Sequence, residues 1–182
     1  MKPFIGIKRI WYGNVFAAAV TPATLKTWLA SAKEVKNSHQ DTWGYTQDDS
    51  TITDYINELT GKPYYRDATA LGAKTIAFTM GMYAFADKAA LQGGTVIKEG
   101  TAPNEVEVGW SAPDVADIIS KGIVAQTKTG NYVVFTNASV IGKVNFVEKN
   151  IGLGVTAVAM ENETANVKDE YWFDGVAVDT EG

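Results

Sequence analysis

Hydrophobic residues in this chain recur mainly at every second position, and only short stretches switch to helical spacing. Lys74-Thr-Ile-Ala-Phe-Thr-Met-Gly-Met-Tyr83 alternates, placing Ile76, Phe78, Met80 and Met82 on one side of a strand. Asn104-Glu-Val-Glu-Val-Gly-Trp110 sets Val106, Val108 and Trp110 against Glu105 and Glu107, the pattern of a half-buried strand. Tyr132 to Phe135 is a β-branched and aromatic run behind a Thr-Gly-Asn turn. Val140 to Val147 and Ile151 to Met160 flank Glu148-Lys-Asn150, a connection of hairpin length. Gly152 and Gly154 alternate there with Ile151, Leu153 and Val155, and small residues at that spacing let another backbone approach closely. Tyr171 to Val178 reads as a final strand.

Helical spacing is confined to a few places. Thr21 can cap a helix and Pro22 suits its first position, after which Leu25, Trp28 and Leu29 share a face. Ser111 to Ser120 carries Pro113 and Asp114 where a first turn needs them, a Val115, Ile118, Ile119 stripe, and Gly122 as terminator. Asp87 to Gln92 predicts one further turn ending at Gly93-Gly94. Thr51 to Arg66 predicts two strands around a Thr60-Gly-Lys-Pro63 turn. The loops fall at Asp67 to Ala73, Gly93 to Pro103 and Glu161 to Lys168. The pattern predicts a mainly β (α+β) fold, and a length of 182 residues suits one domain spanning 1–182.

Charge narrows the partners. A formal net charge of −5 argues against a general nucleic-acid binder and against an anionic membrane surface. The absence of cysteine excludes disulfides, thiolate metal sites and thiol catalysis. The opening stretch MKPFIGIKRIWYG scatters its charges and predicts no secretory signal. Val15 to Val20 is too short to span a bilayer.

The stretch His39-Gln-Asp-Thr-Trp-Gly-Tyr-Thr-Gln-Asp-Asp-Ser50 holds the single histidine, with Asp41, Asp48 and Asp49 around Trp43 and Tyr45. A metal centre wants several ligands at turn or helix spacing, and His39 has no histidine partner. An extended Thr42–Gln47 would hold Asp41 and Asp48 about 20 Å or more apart. The chain contains no Gly-x-Ser-x-Gly, and Gly152-x-Gly154 lacks both a third glycine and a following helix. No catalytic residue, metal or cofactor is therefore assigned, and the expectation is a protein that is not an enzyme. Trp43 and Tyr45 could stack on sugars, but packing is the commoner use of such side chains. From Asn37 through Gly61 there is no Lys or Arg, while Asp41, Asp48, Asp49, Asp54 and Glu58 all occur. The bland explanation is a solvated face; the sharper one is a surface kept unattractive to a polyanion.

Several stretches resemble the major tail tube proteins of long-tailed bacteriophages, in particular the prophage-borne type of gut Bacteroidetes. They are Asp54-Tyr-Ile-Asn-Glu-Leu-Thr-Gly61, Thr75-Ile-Ala-Phe-Thr-Met80, the segment from Pro113, and Thr127-Lys-Thr-Gly-Asn-Tyr-Val-Val-Phe135. Asn137-Ala-Ser-Val-Ile-Gly142 and Glu148-Lys-Asn-Ile-Gly-Leu-Gly-Val-Thr-Ala-Val-Ala159 complete the set. The resemblance implies a β-sandwich or partly open barrel with one or two short flanking helices. It gives residues 1–37 no role beyond an N-terminal extension. It also implies a virion structural protein, made in the bacterial host cytoplasm and located in the virion tail. Six copies would form a ring, rings would stack into a tube, and other tail proteins would join it. DNA would be cargo that slides and does not stick, because Asp41, Asp48, Asp49, Asp54 and Glu58 would face the channel. Trp43 and Tyr45 would pack at a subunit interface. The alternative of another class is a β-sandwich carbohydrate-binding module, suggested by five tryptophans and eight tyrosines.

Overall fold

Alternating patterns of this kind bury one face per strand, and most of them do so in one large antiparallel sheet. The computed structural model describes residues 2–180. Its first half contains β1 (Arg9–Gly13), α1 (Pro22–Ser31), β2 (Lys33–Glu34), β3 (Gly44–Gln47), β4 (Thr51–Asn57), β5 (Lys62–Ala70) and β6 (Lys74–Met80). There follow α2 (Phe85–Gln92), β7 (Thr95–Glu99), β8 (Val106–Ser111), β9 (Ile119–Gln126), β10 (Tyr132–Val147), β11 (Asn150–Ala159), β12 (Glu170–Phe173) and α3 (Gly175–Thr180). Strand exceeds helix by 47% to 13%, so the class is mainly β.

The large sheet has the order β2-β1-β9-β10-β11-β6-β3, with β12 pairing the first part of β10. Its two margins are joined by one stretch of chain. Val35 N–H donates to Ile10 O on β1, while Ser38 bridges to Met80 and His39 N–H donates to Thr79 O on β6. The sheet is thereby curled into a partly open barrel, which reduces the free edge that an open sheet would expose.

Alternation then sorts the side chains. Ile10, Tyr12, Phe78, Ile123, Val133 and Phe135 point into the main core with Ile76, Met80, Leu153 and Val155. Their neighbours Trp11, Val124, Tyr132 and Val134 point to the other face, where Phe16, Leu25 and Val178 cover them. Fully burying a side chain of Phe135's size is worth roughly 1.5–3 kcal/mol.

Helix α1 starts as its sequence predicts. Thr21 and Thr24 exchange hydrogen bonds, Thr24 N–H to Thr21 Oγ1 at 3.2 Å and Thr21 N–H to Thr24 Oγ1 at 2.8 Å, with Pro22 next to the cap. Trp28 stacks on Phe16 with ring centroids 4.6 Å apart. Helix α2 stops at Gly93, whose φ of +83° suits glycine. The β10–β11 connection is tight, with Glu148 and Lys149 both at positive φ, the geometry that matches strand twist in a two-residue turn.

Several expectations are corrected. Residues 1–37 do not form an appended extension: β1 is an internal strand between β2 and β9, and Phe16, Val20 and Leu25 build the second core. Pro113 to Ile118 is not helical, because β9 takes Ile119 onward into register with Val140 and leaves too few residues to nucleate a helix between two strands. Gly122 lies inside β9, where an added Cβ would meet Asn14 O at 2.8 Å and the Trp28 ring at 2.8 Å. The stretch read as loop at Gly93 to Pro103 contains β7, and Asp67 to Ala70 belongs to β5. Gly175 to Thr180 is helical, because the final strand ends at Phe173. Met82 lies beyond the end of β6 and is exposed. Val106 and Val108 are exposed too, because β7 and β8 form a separate ribbon that packs mainly on α2.

Candidate functional site

The acidic window does not form one site. Asp41 has a φ of +58° and lines a cleft together with His39 and Trp43. His39 is mostly buried; its Nε2 lies 3.8 Å from the well-exposed carboxylate of Glu148, and its backbone N–H is spent on Thr79 O. No group of three metal-binding side chains occurs among the described residues. Asp48 and Asp49 are exposed at the corner between β3 and β4, where Asp48 N–H donates to Ala73 O. Gly72 is needed there, since a Cβ would collide with Asp48 O.

Asp54 departs from the expected free negative charge. Arg66, its direct partner across the β4–β5 pair, donates from Nε at 2.6 Å and from Nη2 at 3.0 Å. These hydrogen bonds hold the Asp54 carboxyl below the usual carboxylate range. The counter-charge comes from outside the basic-free window, so sequence distance concealed it. Glu58 is exposed in the turn after β4.

The two aromatics are committed within the chain. Trp43 packs against the main core, and Tyr45 lies 5.4 Å from the Trp172 ring, edge to face, and 6.2 Å from Phe135. Burial pushes the Tyr45 hydroxyl up, and its hydrogen bond to Glu170 adds to the shift. The strand that carries Tyr45 turns it toward β10 and β12, while Trp43, half-buried, also lines the cleft beside Asp41. The other tryptophans are also engaged. Trp11 is buried, Trp28 is stacked, Trp110 donates to Gly93 O beneath Lys88, and Trp172 contacts Phe4.

Sequence reading missed a surface made by β4 and β5. These strands pair only with each other and stand off the large sheet as a ribbon whose two faces are both bare. Ile52, Tyr55 and Ile56 are exposed along it, Tyr64 is 70% exposed, and Leu59 at its turn is 94% exposed. One signal was available: the adjacent Tyr64 and Tyr65 must face opposite sides of a strand, so one of them had to point outward. A second bare patch lies on the distal part of β10 and β11, where Val144, Phe146 and Ile151 are exposed. Tyr55 and Tyr65 stiffen the ribbon with rings 5.6 Å apart.

Neither the protein-family models nor the curated proteins searched give a match to this chain. No helix among the described residues is long and apolar enough to cross a membrane.

Proposed function

We propose that this chain is a self-assembling structural protein of the phage tail tube type, whose copies form rings that stack into a conduit for DNA. The observation that carries the reading is the β4–β5 ribbon. A lone two-stranded hairpin is at best marginally stable in water, and this one leaves isoleucines, tyrosines and a leucine uncovered. Apolar surface of this extent on a chain of ordinary globular composition marks an interaction site. A heterologous contact between copies of one chain closes into rings or continues as a filament, which covers such arms without a second gene product.

Charge supports the cargo. A net charge of −5, with Asp48, Asp49 and Glu58 exposed, repels phosphates, so DNA would pass without adhering. The resemblance noted in the sequence supplies the tail tube assignment, and the mainly β, partly open barrel agrees with what that resemblance implies. The carbohydrate-binding alternative would draw on the exposed aromatics Tyr55, Tyr64, Tyr65 and Trp172, and saturable binding on a glycan array would favour it.

The test is self-association of the purified protein, followed by light scattering over a concentration series and by negative-stain microscopy. Rings or tubes are expected at high concentration. A Leu59→Ser, Tyr64→Ser variant should fold normally and associate less. A strict monomer at every concentration, with no ring or tube on grids, would overturn the reading.

A further inference from the structure

We infer that the cleft between the start of β1 and the 35–43 segment is the dock for the β4–β5 turn of a second copy. This rests on the self-assembly reading above and names the two surfaces that meet. The cleft has a volume of about 640 Å³ and a mixed lining whose main apolar element is the half-buried Trp43, with Ile10 and Val35 almost wholly buried beneath it. Its lining carries Lys8, Arg9, Lys36 and Lys128 against the single carboxylate of Asp41, a local excess of positive charge on a chain that is acidic overall. No ion pair engages the ammonium groups of Lys8 or Lys128 among the described residues, and Lys36 reaches Glu34 only at 3.7 Å.

The occupant is argued from complementarity. The β4–β5 turn presents Glu58 beside Leu59, one carboxylate next to one large aliphatic side chain, and both are exposed. A cationic lining around Trp43 takes that pair in one step: Leu59 loses water against the indole while Glu58 meets the lysines. The cleft and the base of the ribbon also lie apart on the molecule. The cleft segment is bonded to Thr79, Met80 and Gly81 at one end of β6, and the ribbon departs from Lys74 at the other. Six residues of strand separate those ends, roughly 20 Å. A surface at one end that fits a different surface at the other gives head-to-tail contacts, the arrangement that propagates along an axis.

The chain has no cysteine, so disulfide trapping has no background from native thiols. Leu59→Cys and Lys36→Cys are made as separate proteins, mixed at assembling concentration and oxidised. The expected product is the mixed disulfide dimer, in clear excess over a control mixture of Leu59→Cys with Glu163→Cys, a distant exposed position. In parallel, Glu58→Lys should weaken association by about tenfold or more, and a Lys36→Glu, Lys128→Glu partner should recover it. Assembly that proceeds normally with no excess of the mixed disulfide, or that ignores both charge reversals, overturns the dock and leaves self-assembly standing. A wild-type protein that never associates overturns both.

Discussion

The Tyr45 hydroxyl donates to Glu170 Oε1 at 2.8 Å, tying β3 to β12 across 125 positions of sequence. Glu170 Oε2 also lies 3.0 Å from Lys74 Nζ, which bonds Asp169 Oδ2 at 2.8 Å. The margin of the barrel is therefore held by a polar cluster as well as by the strand ladder. Replacing Tyr45 with Phe keeps the ring packing and removes one hydrogen bond, so it should cost about 1 kcal/mol. Urea denaturation reads this directly, and self-association should be untouched. Unchanged stability with weakened association would place Tyr45 at a subunit interface.

The same cluster makes the fold sensitive to alkali. Burial opposes the charge on Lys74, but the hydrogen bonds it donates to Asp169 and Glu170 outweigh it and raise the group above its usual 10.5. Burial and the Glu170 bond likewise raise Tyr45 above its usual 10.0. Both folded values exceed the unfolded ones, so the stabilisation is complete below about pH 10 and is lost as pH rises through the folded values. The urea midpoint should hold steady up to about pH 10 and fall above it, and Lys74→Met should flatten that fall. Identical slopes for the two proteins would contradict the linkage.

Asp87 is the counterpart on the acid side. It accepts from Tyr12 Oη at 2.5 Å and from Ala84 N–H at 2.9 Å, and Lys33 Nζ lies at 2.5 Å, which anchors α2 to β1 and β2. Burial would raise its carboxyl, but the bonds from Lys33, Tyr12 and Ala84 prevail and lower it below 3.8. Its contribution is thus present above that value and lost as pH falls through the folded one. Asp87→Ala strands Lys33 and Tyr12 and should cost about 2–3 kcal/mol, less than a fully buried pair because Lys33 is half exposed. A calorimetric midpoint equal to wild type at neutral pH would contradict this role.

Much of the barrel was legible because it depends on period. The alternation of Ile76, Phe78 and Met80, and that of Gly152 and Gly154 with Leu153 and Val155, fall into place as read. Helix α1 was legible because Thr21 and Pro22 are local signals. What stayed hidden depends on distance. The Asp54–Arg66 pair, the burial of Tyr45 and the cationic lining of Lys8, Lys36 and Lys128 each unite residues that no spacing rule connects. The Pro113 segment misled for the converse reason: its local helix signals are sound, but the pairing of Ile119 with Val140 overrides them.

Asp54 and the Asp48–Asp49 corner now separate as contributors to an acidic lining. Arg66 already cancels Asp54, so removing both charges together, Asp54→Asn with Arg66→Gln, should leave any field along a conduit almost unchanged. Asp48 and Asp49, just before the ribbon, have no ion-pair partner among the described residues, and both are exposed. Replacing both with lysine turns two negative charges per copy into two positive ones, repeated in every copy of an assembly. Folding should change by no more than about 0.5 kcal/mol, because both side chains are on the surface. Assembled particles should nevertheless deliver DNA poorly, since lysines facing a polyanion retain it. The comparison to make is infectivity of particles built from the Asp48→Lys, Asp49→Lys protein against particles built from the Asp54→Asn, Arg66→Gln protein. Full delivery by the lysine variant would remove these two residues from the channel wall.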